Sequence, residues 1–467
     1  MGAITEQLSL GSAALLAIIL TPNLEYFRLT RSGDIVRIAP NELSFSNAES
    51  YKDIYSYAGK NRLPFLKNGF QQRRGGPTGV STVQDPARHT QIRKNLSNAF
   101  STKALRLQTD LVLKYVNMWI DQLTVQGTKP EGVPIGTWYT WLTFDIIGDL
   151  AFGESFGCVA EATTNKWIEV VYAGTKAATT FEALERVPLL KLILPYILFK
   201  NRKMLSDRKT FSDLTTQKTR SRIAKENSRD DFFAGILSQK EEDISEDYLK
   251  HEAQGLIVAG SETTTTFLSS VTYYLSTNPS KLARLQNEVR SKFTSADQID
   301  SVNTSQLPYL FGVIEEGLRI FSPAAFGLPR LCPGAEINGE YIPAGVTVHT
   351  LPWSTQHDPR YWHEPDSFHP ERWLPAGHEL YSSDFDNDVK EASKPFSLGP
   401  RACLGINLAY MEMRIILARL VWEFDWEMVR KDLDFVGETT HALLWRMPEL
   451  RIRYYPVVRD GAEKSGS

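Results

Sequence analysis

The residues best suited to chemistry gather late in the chain. In Phe396-Ser-Leu-Gly399-Pro-Arg401-Ala-Cys403-Leu-Gly405 a cysteine stands at the junction of a long loop and a helix. A cysteine at a helix N-terminus has its thiolate favoured by the positive dipole end and by free backbone N–H groups. Gly399 and Gly405 let the backbone pass close to something flat and bulky. Arg401 offers a fork of donors for a carboxylate. The loop can thus present a soft, electron-rich sulfur beside an anion-binding cation. The other cysteines, Cys158 and Cys332, lie far away, with no CxxC pair and no Cys/His cluster for structural zinc. Three scattered cysteines are too few for a disulfide framework and fit a reducing compartment.

A second group of residues sits in a long helical pattern that starts at Ser245-Glu-Asp, a capping serine followed by acids. Its middle reads Ala259-Gly260-Ser261-Glu262-Thr263-Thr264. Small and hydroxyl residues weaken a helix and bend it, and a local opening there could hold oxygen and a water. A carboxylate next to a hydroxyl can relay protons to a reduced oxygen species. Taken alone, the run is as readily a stretch where helices pack closely. Glu316 and Arg319 share a helical face among apolar neighbours, so a buried ion pair is expected. His89 and Arg93 stand four apart, a spacing of donors that suits a carboxylate. A sulfur ligand beside carboxylate-binding cations is what haem needs, with its iron and its propionates.

At the Cys403 loop the chain resembles the cytochrome P450 superfamily. The fixed positions of that family's haem loop, Phe396, Gly399, Arg401, Cys403 and Gly405, are met in order and spacing. The resemblance implies haem b (iron protoporphyrin IX) with Cys403 as its thiolate ligand. It implies Phe396 near the sulfur, Thr263 steadying dioxygen and Glu262 as the acid beside it. It makes Glu316, Arg319 and Arg372, the last in Pro370-Glu-Arg-Trp373, a structural triad under the haem loop. The family carries Trp or His, then Arg, at the positions of His89 and Arg93. These two, with Arg330 and Arg401, are thereby the expected propionate holders. Phe144-Asp-Ile-Ile-Gly-Asp-Leu-Ala-Phe-Gly153 and Ala99-Phe-Ser101 look like filamentous-fungal members, among them trichothecene-type hydroxylases.

The implied activity is that of a haem-thiolate monooxygenase inserting one oxygen atom of O2 into an apolar secondary metabolite. No dinucleotide fingerprint appears, so electrons are expected from NADPH through a microsomal cytochrome reductase. Arg88, Lys94, Lys103 and Arg106 form its candidate docking patch. Candidate substrate walls, by family position, are Phe65 to Phe70, Ile257 to Thr263, Ala324 to Leu328 and Thr440 to Leu444. Two other readings stand beside this one. A reductase-independent haem-thiolate isomerase or dehydratase would need no proton relay, which Glu262-Thr263 argues against. An inactive haem-binding relative would need no complete ligand set.

The elements that must position these residues are mostly helical. Gly33–Pro40 and Asn41–Phe45 read as a hairpin, and Gln91 to Phe293 as helices with a break at Pro279. A helix over Leu307–Ile320 follows. Small strands stand around Asn338-Gly339, and a long loop covers Pro352 to Lys394. A helix from near Cys403 to Glu423 and a strand over Leu450–Val458 complete the chain. The expected fold is mainly α with small β-sheets, the α+β architecture of that superfamily, over 28–467 as a single haem-thiolate catalytic domain. Residues Gln7 to Leu24 are uncharged and largely apolar, with arginines only after them. They make 1–27 a candidate membrane anchor, with the bulk of the chain on the cytosolic side of the endoplasmic reticulum membrane. The chain has 467 residues with 42% hydrophobic content, enough for a large core and an enclosed pocket. Its 52 basic and 55 acidic residues give a net charge of -3 and no bulk attraction to nucleic acid.

Overall fold

Residues 33–59, 62–68, 78–175, 202–225, 232–233, 245–442 and 444–459 are described by a computed structural model. The candidate anchor, 1–27, lies outside them, as do Gly69, Phe70 and Leu443 of the candidate walls. No helix among the described residues is long and apolar enough to cross a membrane.

The helices that build the site are α1 Glu49–Tyr55, α2 Pro86–Ser97, α3 Thr109–Gln126, α4 Ile135–Phe152, α5 Arg202–Ala224, α6 Glu246–Thr277, α7 Pro279–Lys292, α8 Pro308–Ile320 and α9 Ile406–Glu423. Their starts follow local chemistry. The Asp85 carboxylate caps α2 by accepting from the Arg88 N–H, with Pro86 in the first turn. Ser245 caps α6 by accepting from the Tyr248 N–H at 3.1 Å. Pro279 opens α7, so the break falls where a proline is tolerated.

Among the described residues the strands form small sheets. One orders Ile35–Ala39 (β1), Glu42–Phe45 (β2), Leu66–Lys67 (β3), Arg330–Leu331 (β5) and Thr347–Thr350 (β8) as β1-β2-β8-β5-β3. Only its β2–β8 pairing is parallel. Val133–Pro134 (β4), Arg451–Pro456 (β12) and Phe424–Met428 (β9) make a three-stranded sheet. Ala335–Ile337 (β6) and Glu340–Ile342 (β7) form a hairpin turned by Asn338 and Gly339, both at positive φ. Thr440–Ala442 (β10) and Leu444–Arg446 (β11) form another. The mainly helical fold with minor sheets is therefore as expected. The strand β4, inside a region read as helical, was not.

The core surrounds α6. Its 32 residues run without interruption through the small-residue segment where an opening was expected. Two packing facts explain the continuity. The hydroxyls bond back within the helix, Ser261 to the Ile257 carbonyl at 2.6 Å and Thr263 to that of Ala259 at 2.7 Å. Gly260 lies against α4, where a Cβ would come within 2.7 Å of Ile147 Cδ1. Small residues here bring two helices together.

Candidate active site

The Cys403 loop is a tight turn anchored at both ends. The Cys403 N–H donates to the Phe396 carbonyl at 2.9 Å, and residues 399–401 form a 3₁₀ turn. Gly399 has φ +71°, and any side chain there would collide with the Tyr55 carbonyl of α1. The helix α9 begins at Ile406, so Cys403 precedes it by a short stretch and Gly405 occupies the cap. Phe396 packs on Tyr410 of α9 with ring centroids 5.2 Å apart. Arg93 of α2 donates to the Ala402 carbonyl at 2.7 Å, clasping the loop from the opposite side.

Cys403 is the exposed one of the three cysteines, whereas Cys158 and Cys332 are buried. Although the residue reaches the surface, the protein packed around its thiol desolvates it and raises it above the usual range, while the Gly405 N–H and the Arg93 charge pull it down. Cys403 stands ahead of the helix, and desolvation outweighs the stabilisation from the Gly405 N–H and Arg93. A bound cation would reverse the balance, since coordination deprotonates a thiol outright.

Beside the loop, positive charge accumulates. Arg330 on β5 is buried and stacks its guanidinium over Tyr55 at 5.2 Å. Arg401 donates to the Gln84 carbonyl at 2.9 Å, and its Nη1 is buried without a hydrogen-bond partner. Burial together with the charges of Arg401, Arg93, Lys67 and Arg330 pushes buried His89 down to about 4. Burial and the neighbouring Arg330 likewise push Arg401 down to about 10. The acid felt by Arg401 is Asp85, which caps a helix on the surface. Such a donor set wants an anion, and an orphaned guanidinium N–H is already turned inward to meet one. By their chemistry these donors suit a group that carries carboxylates, and the accessible sulfur suits its metal. Lys67 belongs to the same cluster and has no motif around it to mark it in the sequence.

On α6, Glu262 and Thr263 do not meet. Successive residues of a helix point about 100° apart. Glu262 is buried and faces α4 and the helical stretch 166–175, where Tyr172 hydrogen-bonds it and Arg446 lies nearby. One of its oxygens, Oε1, is buried without a partner. Burial pushes its carboxyl up to about 7, against the pull of Tyr172 and Arg446. It borders a cavity of about 490 Å³ that also takes in Thr140, Trp141, Tyr172, Trp445 and Arg446. A proton passing from Glu262 to Thr263 therefore needs a water or a side-chain rotation between them.

Two of the candidate substrate walls are brought together: the Phe326 ring meets His441 edge-on at 4.4 Å, joining 324–328 to the β10–β11 hairpin. Ile257 is fully buried in the core.

Glu316, Arg319 and Arg372 form one fully buried network. Arg319 spans both Glu316 oxygens at 2.8 Å and also donates to the carbonyls of Gln356, Pro365 and Ser367. Burial alone would raise the Glu316 carboxyl, but Arg319, Arg372 and the His369 N–H hold it at about 2. A further member is Asp388, paired with Arg372. It balances two arginines with two acids, and charge balance was the signal that could have asked for it.

Glu412 of α9 was also not foreseen. It is 2% exposed and accepts from the Thr264 hydroxyl at 3.1 Å, joining the helix after the cysteine to α6. Burial pushes its carboxyl up to about 8 from 4.5. Between those values the unfolded chain releases a proton that the folded protein keeps, so this group's contribution to stability falls as pH rises through that window. Glu412→Gln should keep the hydrogen bond and flatten the decline. Thermal midpoints measured near pH 5 and near pH 8 check it, and an equally steep decline in the variant would refute the assignment.

Comparisons with known proteins agree with one another. The sequence profile of the family described as Cytochrome P450 matches residues 24–452. Cytochrome P450 monooxygenase BOA3 of Botryotinia fuckeliana is 42% identical over 424 residues, covering 90% of this chain and 84% of that protein. Cytochrome P450 monooxygenase btcC of Colletotrichum orbiculare is 40% identical, covering 92% and 83%. Cytochrome P450 monooxygenase poxC of Penicillium oxalicum is 39% identical, covering 91% and 82%.

Proposed function

The chain belongs to the cytochrome P450 family, and on that premise we propose that it oxidises an apolar secondary metabolite with electrons drawn from NADPH through a cytochrome reductase. It is a haem-thiolate monooxygenase. The observation that carries the reading is an accessible cysteine in a clamped loop beside a cluster of cations short of negative charge. In this reading 28–467 is one catalytic domain, and 1–27 anchors it on the cytosolic face of the endoplasmic reticulum membrane.

When bound, haem supplies the activation of dioxygen and the transfer of one oxygen atom to a C–H bond. The residues around it divide the remaining work. Cys403 would hold the iron as a thiolate, with the Gly405 N–H and the Arg93 charge steadying its negative charge. Arg330, Arg401, Arg93 and His89 would take the carboxylates, and the unpartnered Nη1 of Arg401 would gain an acceptor there. Phe396 packs near the sulfur and limits water. Glu262, poised near neutrality, holds a proton on the far face of α6 and passes it through water toward the Thr263 hydroxyl. Residues 324–328 and the β10–β11 hairpin orient the substrate. Glu316, Arg319 and Arg372 carry the loop as scaffold.

The test combines the purified chain, a microsomal reductase, NADPH and isotopically labelled dioxygen with a panel of apolar terpenoid and polyketide substrates. The expected result is NADPH consumption with one labelled oxygen in the product. Conversion of a hydroperoxide with no NADPH use would favour the isomerase reading instead. Neutralising Lys94, Lys103 and Arg106, which are exposed, should slow electron transfer and leave the haem spectrum unchanged. An unchanged rate would remove them from the docking face.

A further inference from the structure

The candidate substrate wall 324–328 is pinned at two points. The Ala325 carbonyl accepts from the Trp353 N–H at 3.2 Å. The Leu328 carbonyl accepts from the Tyr55 hydroxyl at 3.0 Å, and that hydroxyl accepts in turn from the Thr350 N–H at 3.2 Å. Between the pins stand Gly327 and Phe326, whose ring meets His441. With both ends held, the position of this short span depends on what stands behind it.

Behind it stands the imidazole of His349 on β8. A Cβ on Gly327 would collide with the His349 ring and, at 2.5 Å, with the Thr350 carbonyl. The glycine backbone therefore rests directly on the ring. His349 is buried and lies opposite Ser44 in the parallel β2–β8 pairing. Glu42, two residues earlier on the same face of β2, brings a carboxylate oxygen within 3.5 Å of the His349 Nδ1. Neither ring nitrogen has a hydrogen-bond partner. A buried polar group left so costs stability, and an apolar side chain of equal size avoids that cost. What the ring does supply is volume behind Gly327.

Resting on the haem-thiolate reading and its substrate wall, we propose that His349 is a positioning residue that determines specificity. Its ring sets how far Phe326 and Gly327 stand forward, and so how large a substrate the wall admits. It acts through Gly327 and touches neither the substrate nor the reacting atoms. Close-packed interiors transmit a change of a few atoms to their neighbours. Removal of the ring lets the wall retreat, and a side chain on Gly327 drives it forward.

The experiment uses the haem-loaded protein and two azole probes that ligate iron. Imidazole is too small to reach the wall, whereas 4-phenylimidazole extends a ring toward it. Absorption titrations give both dissociation constants for the wild type, Gly327→Ala, His349→Ala and His349→Leu. Imidazole affinity should stay constant throughout. His349→Ala should bind 4-phenylimidazole about tenfold more tightly, the scale on which an apolar pocket reads a small change of fit. His349→Leu, which keeps the volume, should stay near the wild type. Gly327→Ala should weaken 4-phenylimidazole. If His349→Ala does not fold, His349→Asn takes its place, with a smaller gain in the same direction. Affinity for 4-phenylimidazole at or below that of the wild type in the shortened variant, with Gly327→Ala weakened, overturns the role of His349 and leaves the wall in place. So does a gain in His349→Leu equal to that in His349→Ala. Unchanged affinities in Gly327→Ala overturn the wall assignment beneath the proposal, and a folded wild type that takes up no haem overturns the haem reading.

Discussion

Cys403→Ala should abolish the red-shifted absorption band expected of the reduced, carbon monoxide-treated protein. This is the largest single-residue effect expected, because no other described residue offers a comparable ligand. Cys158 and Cys332 are buried elsewhere, and no group of His, Cys, Asp or Glu able to hold a metal occurs among the described residues. The loop would survive the change, since the clasp by Arg93 and the bond from Cys403 N–H to Phe396 use only backbone atoms of the loop. The variant should therefore stay folded and lose the thiolate signature while retaining weaker haem uptake through its carboxylate donors. Persistence of the red-shifted band would sink the assignment of Cys403.

Arg372→Leu should have the second largest effect, on stability. It strands Asp388, which has only 1% of its side chain exposed, and removes one of the two cations that hold Glu316 ionised. Breaking a buried pair by deleting one partner costs ~3–5 kcal/mol. Against the ~5–15 kcal/mol that hold a folded domain, that is a large share. The yield of haem-loaded protein should collapse, and the urea midpoint of what remains should fall steeply. Arg372→Lys keeps the charge but loses the planar fork, so an intermediate loss is expected. An unfolding free energy within ~0.5 kcal/mol of the wild type for Arg372→Leu would show that the network carries little of the fold.

Much of this was legible in the chain because some chemistry is local. The haem loop concentrates its requirements within a few residues, so their order is visible without a fold. Glu316 and Arg319 share a face by helical period alone. Asp388 was not legible, because the loop from Pro352 onward has no period that says which acid turns inward. Lys67 was hidden for a similar reason. Its strand has two residues, and its meaning appears only in the register with Arg330. Adjacency in sequence did not tell that the helix turns Glu262 and Thr263 to different faces. Gly260 misled: its small size reads as weakness in one dimension, whereas in three it is the room that Ile147 needs.

The β10–β11 hairpin serves two clients. On β10, His441 meets Phe326 of the proposed substrate wall. Directly opposite it on β11, Trp445, with Arg446 beside it, borders the cavity that Glu262 lines. On the proposed reading, change within 324–328 touches the substrate wall alone, whereas change along the hairpin touches the wall and the Glu262 cavity at once. Diversification of substrate range within this lineage, or in a laboratory library, has its freer route through 324–328.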